Sequence, residues 1–199
     1  MKRIDCFVPF VSEDQVAVTA ANLRAEAEVA KVEFIDATIF KSTASVRKIA
    51  QAATAPFTMI YTKTTELSFG QFALERFLSI AEDSSAAMVY ADHFNEVDGN
   101  RAFAPVIDCQ LGALRDDFDF GSVMIYRTSA LKEAVARMNV DYEYAGLYDL
   151  RLKVSQKGSL VHINEYLYYE IETDTRKSGE KLFDYVDPKN RAVQIEMEK

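Results

Sequence analysis

Residues 57–67 read FTMIYTKTTEL. The first five are apolar or β-favouring and make a run of strand length. A polar turn follows, Thr62-Lys63-Thr64-Thr65-Glu66. Residues 66–83, ELSFGQFALERFLSIAED, come next and read as a helix with Phe69, Phe72, Ala73, Phe77, Ile80 and Ala81 facing inward. Strand, polar turn and helix form the repeating unit of an α/β protein. In open α/β sheets, ligands bind beyond the carboxyl ends of the strands. This stretch therefore sets the fold class and marks where a ligand is expected, and it raises the question of what Lys63 is there to bind.

The same alternation extends upstream. RIDCFVPF (3–10) is a strand ended by Pro9. Residues 12–29 read as a helix with Ser12 as N-cap and Glu13 and Asp14 in its first turn. KVEFIDA (31–37) is a strand ending at Asp36. Residues 42–53 carry Val46, Ile49, Ala50 and Ala53 on one helical face, and Pro56 follows. AAMVYAD (86–92) is a fourth strand. A β-α-β-α-β-α-β order predicts parallel strands with helices on both faces.

The pattern changes after Asp92. HFNEVDGNRAFAPV holds an Asp-Gly turn between short runs and reads as a hairpin. SVMIYR (122–127) is a strand. Residues 128–138 form a helix with Leu131, Ala134, Val135 and Met138 on one face. Residues 144–158 form a helix with Gly158 as its C′ residue. SLVHIN and YLYYEI are two late strands. Asp187-Pro188 opens a last helix at 189–199, which reads as running on into a longer protein.

With 199 residues, 49% of them hydrophobic, the chain suits one domain with a sizeable core. A net charge of −8 argues against nonspecific nucleic-acid binding and against a polybasic membrane contact. A small anion in a local basic pocket remains compatible with it. Cys6 and Cys109 have no Cys-x-x-Cys spacing, and Cys6 reads as a buried free thiol. No apolar run reaches membrane-spanning length. The expected setting is cytoplasmic, at the inner face of a membrane only through partners.

Several of these words, in this order, resemble family-2 glycosyltransferases of the GT-A fold: CFVPF, FIDA, MVYADHFNEVDGN, FDFGSVMIYRTSALKEA and YAGLYDLRLKVSQKGSLVHINEYLYYE. The resemblance spans residues 3 to 170. It implies a three-layer α/β/α GT-A-like domain over 1–188 with a mixed, mainly parallel sheet. Residues 1–92 would be the nucleotide-binding half and 93–188 the acceptor-side half. It further implies an inverting transferase of polysaccharide biosynthesis, moving a sugar from a nucleotide-diphosphate donor to a carbohydrate or lipid-linked hydroxyl.

The resemblance assigns roles to individual residues. Asp149, near the start of a helix, is the expected general base, although the family's acidic pair is here Tyr148-Asp149. A solvated helix aspartate is the plain alternative. Asp36 would accept from a nucleobase imide, and Pro9 with the residues after it would pack on the base. A turn aspartate and simple chain reversal would explain the same residues. The family's metal-binding Asp-x-Asp falls on Thr62–Thr65, where hydroxyls are poor ligands for Mn2+ or Mg2+ and Lys63 would repel either ion.

Three explanations compete for this loop. Lys63 replaces the metal, neutralising the diphosphate while Thr64 and its neighbours donate hydrogen bonds. Alternatively the site is dead and the chain is a non-catalytic binding or scaffold module. Finally, acids elsewhere, such as Asp117 and Asp119 or Asp92-His93, serve a metal. Asp-x-Asp is a weak motif, and an Asp beside a lone His is more often a structural pair. Phe118, Phe120, Tyr142, Tyr144 and Tyr148 suit stacking on sugar rings or core packing equally.

Overall fold

A computed structural model describes residues 2–97, 99–110, 118–171 and 191–199, with the backbone alone at Val97. Asp117 and Asp187-Pro188 lie outside the described residues. The elements are β1 Ile4–Phe10, α1 Glu13–Ala25, β2 Val29–Asp36, α2 Thr43–Ala52, β3 Phe57–Tyr61, β4 Leu67–Phe69, α3 Ala73–Asp83, β5 Met88–Val97, β6 Asn100–Ala104, β7 Val123–Arg127, α4 Thr128–Val135, α5 Gly146–Ser155, β8 Leu160–Ile171 and α6 Arg191–Met197.

The strands form one sheet in the order β2-β1-β3-β7-β5-β8-β4, and β6 pairs with β5. Strands β1, β2, β3, β5 and β8 run one way, while β4, β6 and β7 run against them. The sheet is therefore mixed and mainly parallel, as expected. Strand β5 does not neighbour β3, however, because β7 inserts antiparallel between them. Residue 92 falls inside β5, so the two expected halves interleave in a single sheet.

Alternation along each strand sorts the core into two layers. Ile4, Cys6 and Val8 of β1 face Leu23 of α1 and Leu74, Phe77 and Leu78 of α3. Phe7, Ile60 and Tyr126 face Val46 and Ile49 of α2, Leu131 of α4 and Leu150 of α5. The result is three layers, α/β/α. Burial pushes the Cys6 thiol well above its usual range, as expected of an inert core cysteine. Buried Asp5, which the sequence reading passed over, accepts from the Thr54 and Ala55 N–H groups at 2.6 and 2.9 Å and pins the turn before β3 to β1.

Local signals explain the helix starts. The Ser12 Oγ accepts from the Gln15 N–H, and the Ser42 Oγ accepts from the Ser45 N–H. The expected face of α2 is buried in full: Val46, Ile49, Ala50 and Ala53.

Three expectations are corrected. Residues 66–83 are not one helix. Leu67–Phe69 form β4, bonded antiparallel to β8, and α3 begins only at Ala73. Helical spacing of apolar residues competes here with a strand edge needing a partner, and pairing with β8 wins over local propensity. Phe72 is consequently 68% exposed in a left-handed conformation at φ 61, not inward-facing. The two late strands are one, β8, with its register shifting opposite Ala91–His93. Gly158 is not a left-handed cap; a Cβ there would lie 2.4 Å from the Ala87 Cβ, so close approach to Ala87, just before β5, requires the glycine.

Candidate nucleotide site

The carboxyl ends of β1, β2 and β3 share one edge of the sheet. Phe10 pairs with Asp36, and Phe7 with Ile60, so the carboxyl ends of the three strands lie side by side, and Lys63 follows β3 by two residues. The Ala37 N–H donates to the Phe10 carbonyl at 2.9 Å, tying the two ends together. Pro9 and Asp36 thus lie on neighbouring strand ends, with Lys63 and Thr64 in the loop after β3 at the same end of the sheet, where an α/β sheet offers a place to ligands.

Asp36 is exposed at the tip of β2. Its Oδ1 accepts from the Thr38 N–H at 2.8 Å and from the Thr38 hydroxyl at 2.7 Å. The Thr38 hydroxyl and N–H hold its carboxyl below the usual carboxylate range. The turn reading and the ligand reading are compatible, since the turn bonds use Oδ1 alone and the residue is exposed.

The Thr62–Thr65 loop is anchored at each residue. The Thr62 N–H donates to the Ser122 carbonyl at 2.9 Å. The Thr64 carbonyl accepts from Gln15 Nε2 of α1 at 2.7 Å, and the Thr65 hydroxyl donates to the Ile171 carbonyl at 3.3 Å.

Lys63 makes a contact that no local motif marks. Its Nζ lies 2.5 Å from Glu170 Oε1, and Glu170, on β8, is 3% exposed. His93 Nε2 of β5 lies 3.3 Å from the same oxygen, and the Ser122 hydroxyl donates to Oε2. Burial alone would raise the Glu170 carboxyl; the His93 and Lys63 groups outweigh it and hold the carboxyl below its ordinary range. The His93 ring stacks on Tyr168 at 4.9 Å, and the Tyr168 hydroxyl accepts from the Ser122 N–H at 3.0 Å. Gly121 makes room for this stack. Its φ is +71, and a Cβ would sit 2.4 Å from the Tyr168 hydroxyl.

Asp92 faces the other side of β5. Its Oδ1 lies 2.8 Å from His162 Nε2 and accepts from the Val106 N–H at 2.9 Å. His162 Nδ1 lies 2.8 Å from Oδ1 of the surface residue Asp108. Asp92 and His93 are therefore separate structural pairs, not a shared ligand site. Asp119 Oδ1 accepts from the Gly121 N–H at 2.7 Å, which is a turn bond. Among the described residues, no group of three or more His, Cys, Asp or Glu could hold a metal ion. Thr62–Thr65 offers hydroxyls and an ammonium, a donor set that fits neither Mn2+ nor Mg2+.

Asp149 stands apart from this edge, in the first turn of α5. It is 8% exposed, and its Oδ1 takes an ion pair from Lys153 one turn on. Its Oδ2 is buried with no partner among the described residues. The start of α5 meets the start of α2: the Thr43 N–H donates to the Tyr142 carbonyl at 2.9 Å and the Leu147 N–H to the Lys41 carbonyl at 3.2 Å. Asp149 thus lies one turn into a helix that starts beside the segment following Asp36. Glu196 of α6 adds an unforeseen contact, its carboxylate accepting from the N–H groups of Glu143, Tyr144 and Ala145 at 2.9, 2.7 and 2.9 Å. Of the aromatics, Phe120 is core and Tyr144 is exposed.

The fold resembles that of S. aureus TarS. The chain aligns with the crystal structure of TarS 1-349 at a TM-score of 0.59 and 10% identity, over 84% of this chain and 60% of that one. A second TarS crystal structure gives a TM-score of 0.61 at 11% identity, over 85% of this chain and 37% of that one. TarS 1-349 in complex with UDP-GlcNAc gives 0.53 at 10% identity, over 87% and 60%. The chain spans less than two thirds of the length of these structures. At this identity the likeness establishes the fold, a GT-A-like α/β/α sandwich with a mixed sheet. No family profile and no curated protein matches the sequence.

Proposed function

We propose that the chain is a glycosyltransferase that binds a nucleoside-diphosphate sugar in the crevice at the carboxyl ends of β1, β2 and β3 and transfers the sugar, with inversion, to a hydroxyl acceptor. The observation that supports this reading is the position of Lys63 two residues beyond the end of β3, on a fold similar to a protein crystallised with UDP-GlcNAc and with UDP. Asp36 receives the base, Pro9 and Phe10 flank it, and the Lys63 ammonium with Thr64 faces the diphosphate.

In the reaction the acceptor oxygen attacks the anomeric carbon as the bond to the diphosphate oxygen breaks. Negative charge grows on the leaving group, where a fixed cation is most effective. Lys63 supplies that charge in the place where a transferase of this kind would hold a metal. The acceptor proton passes to Asp149, whose buried Oδ2 has no partner among the described residues, with the sugar and acceptor reaching from the strand ends to the start of α5.

A second reading has its own support. Lys63 is already paired with Glu170, and Asp149 with Lys153. Both candidate groups being engaged favours a module that binds a nucleotide sugar or a partner without turning it over. The experiment is a calorimetric titration with UDP and GDP, with and without manganese, followed by a donor-hydrolysis assay. Binding without manganese supports Lys63 in the metal's place, and binding that needs manganese rules that role out. Absence of binding in every arm sinks the transferase reading. Binding with no turnover selects the module.

A further inference from the structure

We propose that Glu170 is a specificity-determining residue that acts as an internal counter-ion to Lys63, weakening the hold of the crevice on the free nucleoside diphosphate more than its hold on the nucleoside-diphosphate sugar. The inference rests on the reading of the crevice as a diphosphate site and goes beyond it by assigning the charge discrimination of that site.

The Glu170 Oε1 is 2.5 Å from Lys63 Nζ. Any phosphate oxygen that bonds the same ammonium lies within about two hydrogen-bond lengths, ~5–6 Å, of the Glu170 carboxylate. Glu170 cannot swing away to relieve this. It is 3% exposed, its Oε2 takes the Ser122 hydroxyl, and its Oε1 faces His93 Nε2. Ser122 is in turn tied to Tyr168 through its N–H, and His93 is stacked on that ring. The carboxylate is a fixed negative charge beside the place where the leaving group must rest.

Fixed charges discriminate by the charge of the ligand. A nucleoside diphosphate carries one more negative charge than its sugar ester, and that charge sits on the terminal phosphate, the group next to the broken bond. At ~5–6 Å and protein-like screening, one extra charge is opposed by a factor of about ten or more in an equilibrium constant. The donor meets less of this repulsion. After transfer the product carries the added charge, so the same carboxylate speeds its departure. A crevice built from Lys63 alone would hold the product tightly.

The test compares wild type with Glu170→Gln by calorimetry without divalent ions, using UDP against UDP-GlcNAc and GDP against GDP-mannose. The variant is expected to bind the sugar ester about tenfold more tightly, because its phosphate charge also meets Glu170, and the diphosphate more tightly by a further factor of about ten, so the ratio of the two affinities shifts about tenfold. A purely structural role for Glu170 would weaken both ligands together or leave both unchanged, and either result overturns the proposal. Glu170→Asp, which keeps the charge, is expected to keep the wild-type ratio; a shifted ratio there counts against the proposal. Should Glu170→Gln fail to fold, Glu170→Ala carries the same expectation. If wild type binds neither ligand of either pair, the diphosphate reading itself falls. If wild type binds and the ratio is unmoved in the variants, only the role of Glu170 falls.

Discussion

Asp92 and His93 are neighbours in the chain but belong to opposite faces of the sheet. Asp92 bonds His162 on the α2/α4/α5 side, while His93 reaches Glu170 and, through it, Lys63. The two-residue repeat of a strand forces this divergence. The pairs should therefore respond separately to mutation. Asp92→Ala leaves the Val106 N–H and His162 Nε2 without their buried acceptor and is expected to cost about 3 kcal/mol of stability. Urea denaturation checks the value, and the affinity of the folded variant for UDP should stay within about twofold of wild type.

Lys63 carries the proposed diphosphate contact. A charge-assisted hydrogen bond contributes about 1.5–3 kcal/mol, so Lys63→Ala should weaken UDP binding by about ten- to a hundredfold. Calorimetry reads the change. An unchanged dissociation constant would remove Lys63 from the site.

Asp149 is assigned to the proton and not to the nucleotide. Asp149→Asn should therefore lower turnover by about a hundred- to ten-thousandfold while UDP affinity holds. Transfer measured with a labelled donor sugar, alongside calorimetry, separates the two effects. A variant as active as wild type would assign the base elsewhere.

Glu196 links α6 to the start of α5. Burial raises its carboxyl, but the N–H groups of Tyr144, Glu143 and Ala145 outweigh this and set it below the ordinary 4.5. A depressed carboxylate stabilises the fold above its unfolded value, and the contribution fades as the pH falls through the lowered value. The protection of the Tyr144 and Ala145 amides, measured as exchange relative to the unfolded chain at the same pH, is expected to be high at neutral pH and to fall once the pH drops below the ordinary glutamate range. Glu196→Gln should show the lower protection already at neutral pH.

Gly121 has the least room for change. An alanine there needs a left-handed backbone at φ +71 and a Cβ 2.4 Å from the Tyr168 hydroxyl. Gly121→Ala is expected to lose about 2 kcal/mol or more. Thermal melting reads that loss. The ratio of UDP to UDP-GlcNAc affinity should shift with it, because the stack that fixes Glu170 is displaced.

Much of the fold was written locally. The strand at 57–61 has the same limits in the sequence reading and in the structure, since five apolar or β-favouring residues before a polar turn have few alternatives. The Ser12 cap and the buried face of α2 were legible for the same reason: each depends on residues within two helical turns. The fold class followed from the alternation of such units. The positions of Pro9, Asp36 and Lys63 at one edge followed too, because parallel strands bring their carboxyl ends together.

What the tertiary structure decided involves partners distant in the chain. Glu170 lies 107 residues from Lys63, and nothing in YLYYEI marks its last acid as the lysine's counter-ion. The short strand at Leu67–Phe69 exists because β8 offers it an edge, against a local pattern that reads as helix. Glu196 reaches amides more than fifty residues away. Local sequence set most of the strands and helices, β4 excepted, and where a ligand would be sought. Long-range pairing settled the charge that Lys63 meets there, because a buried carboxylate is positioned by the whole sheet and not by its neighbours in sequence.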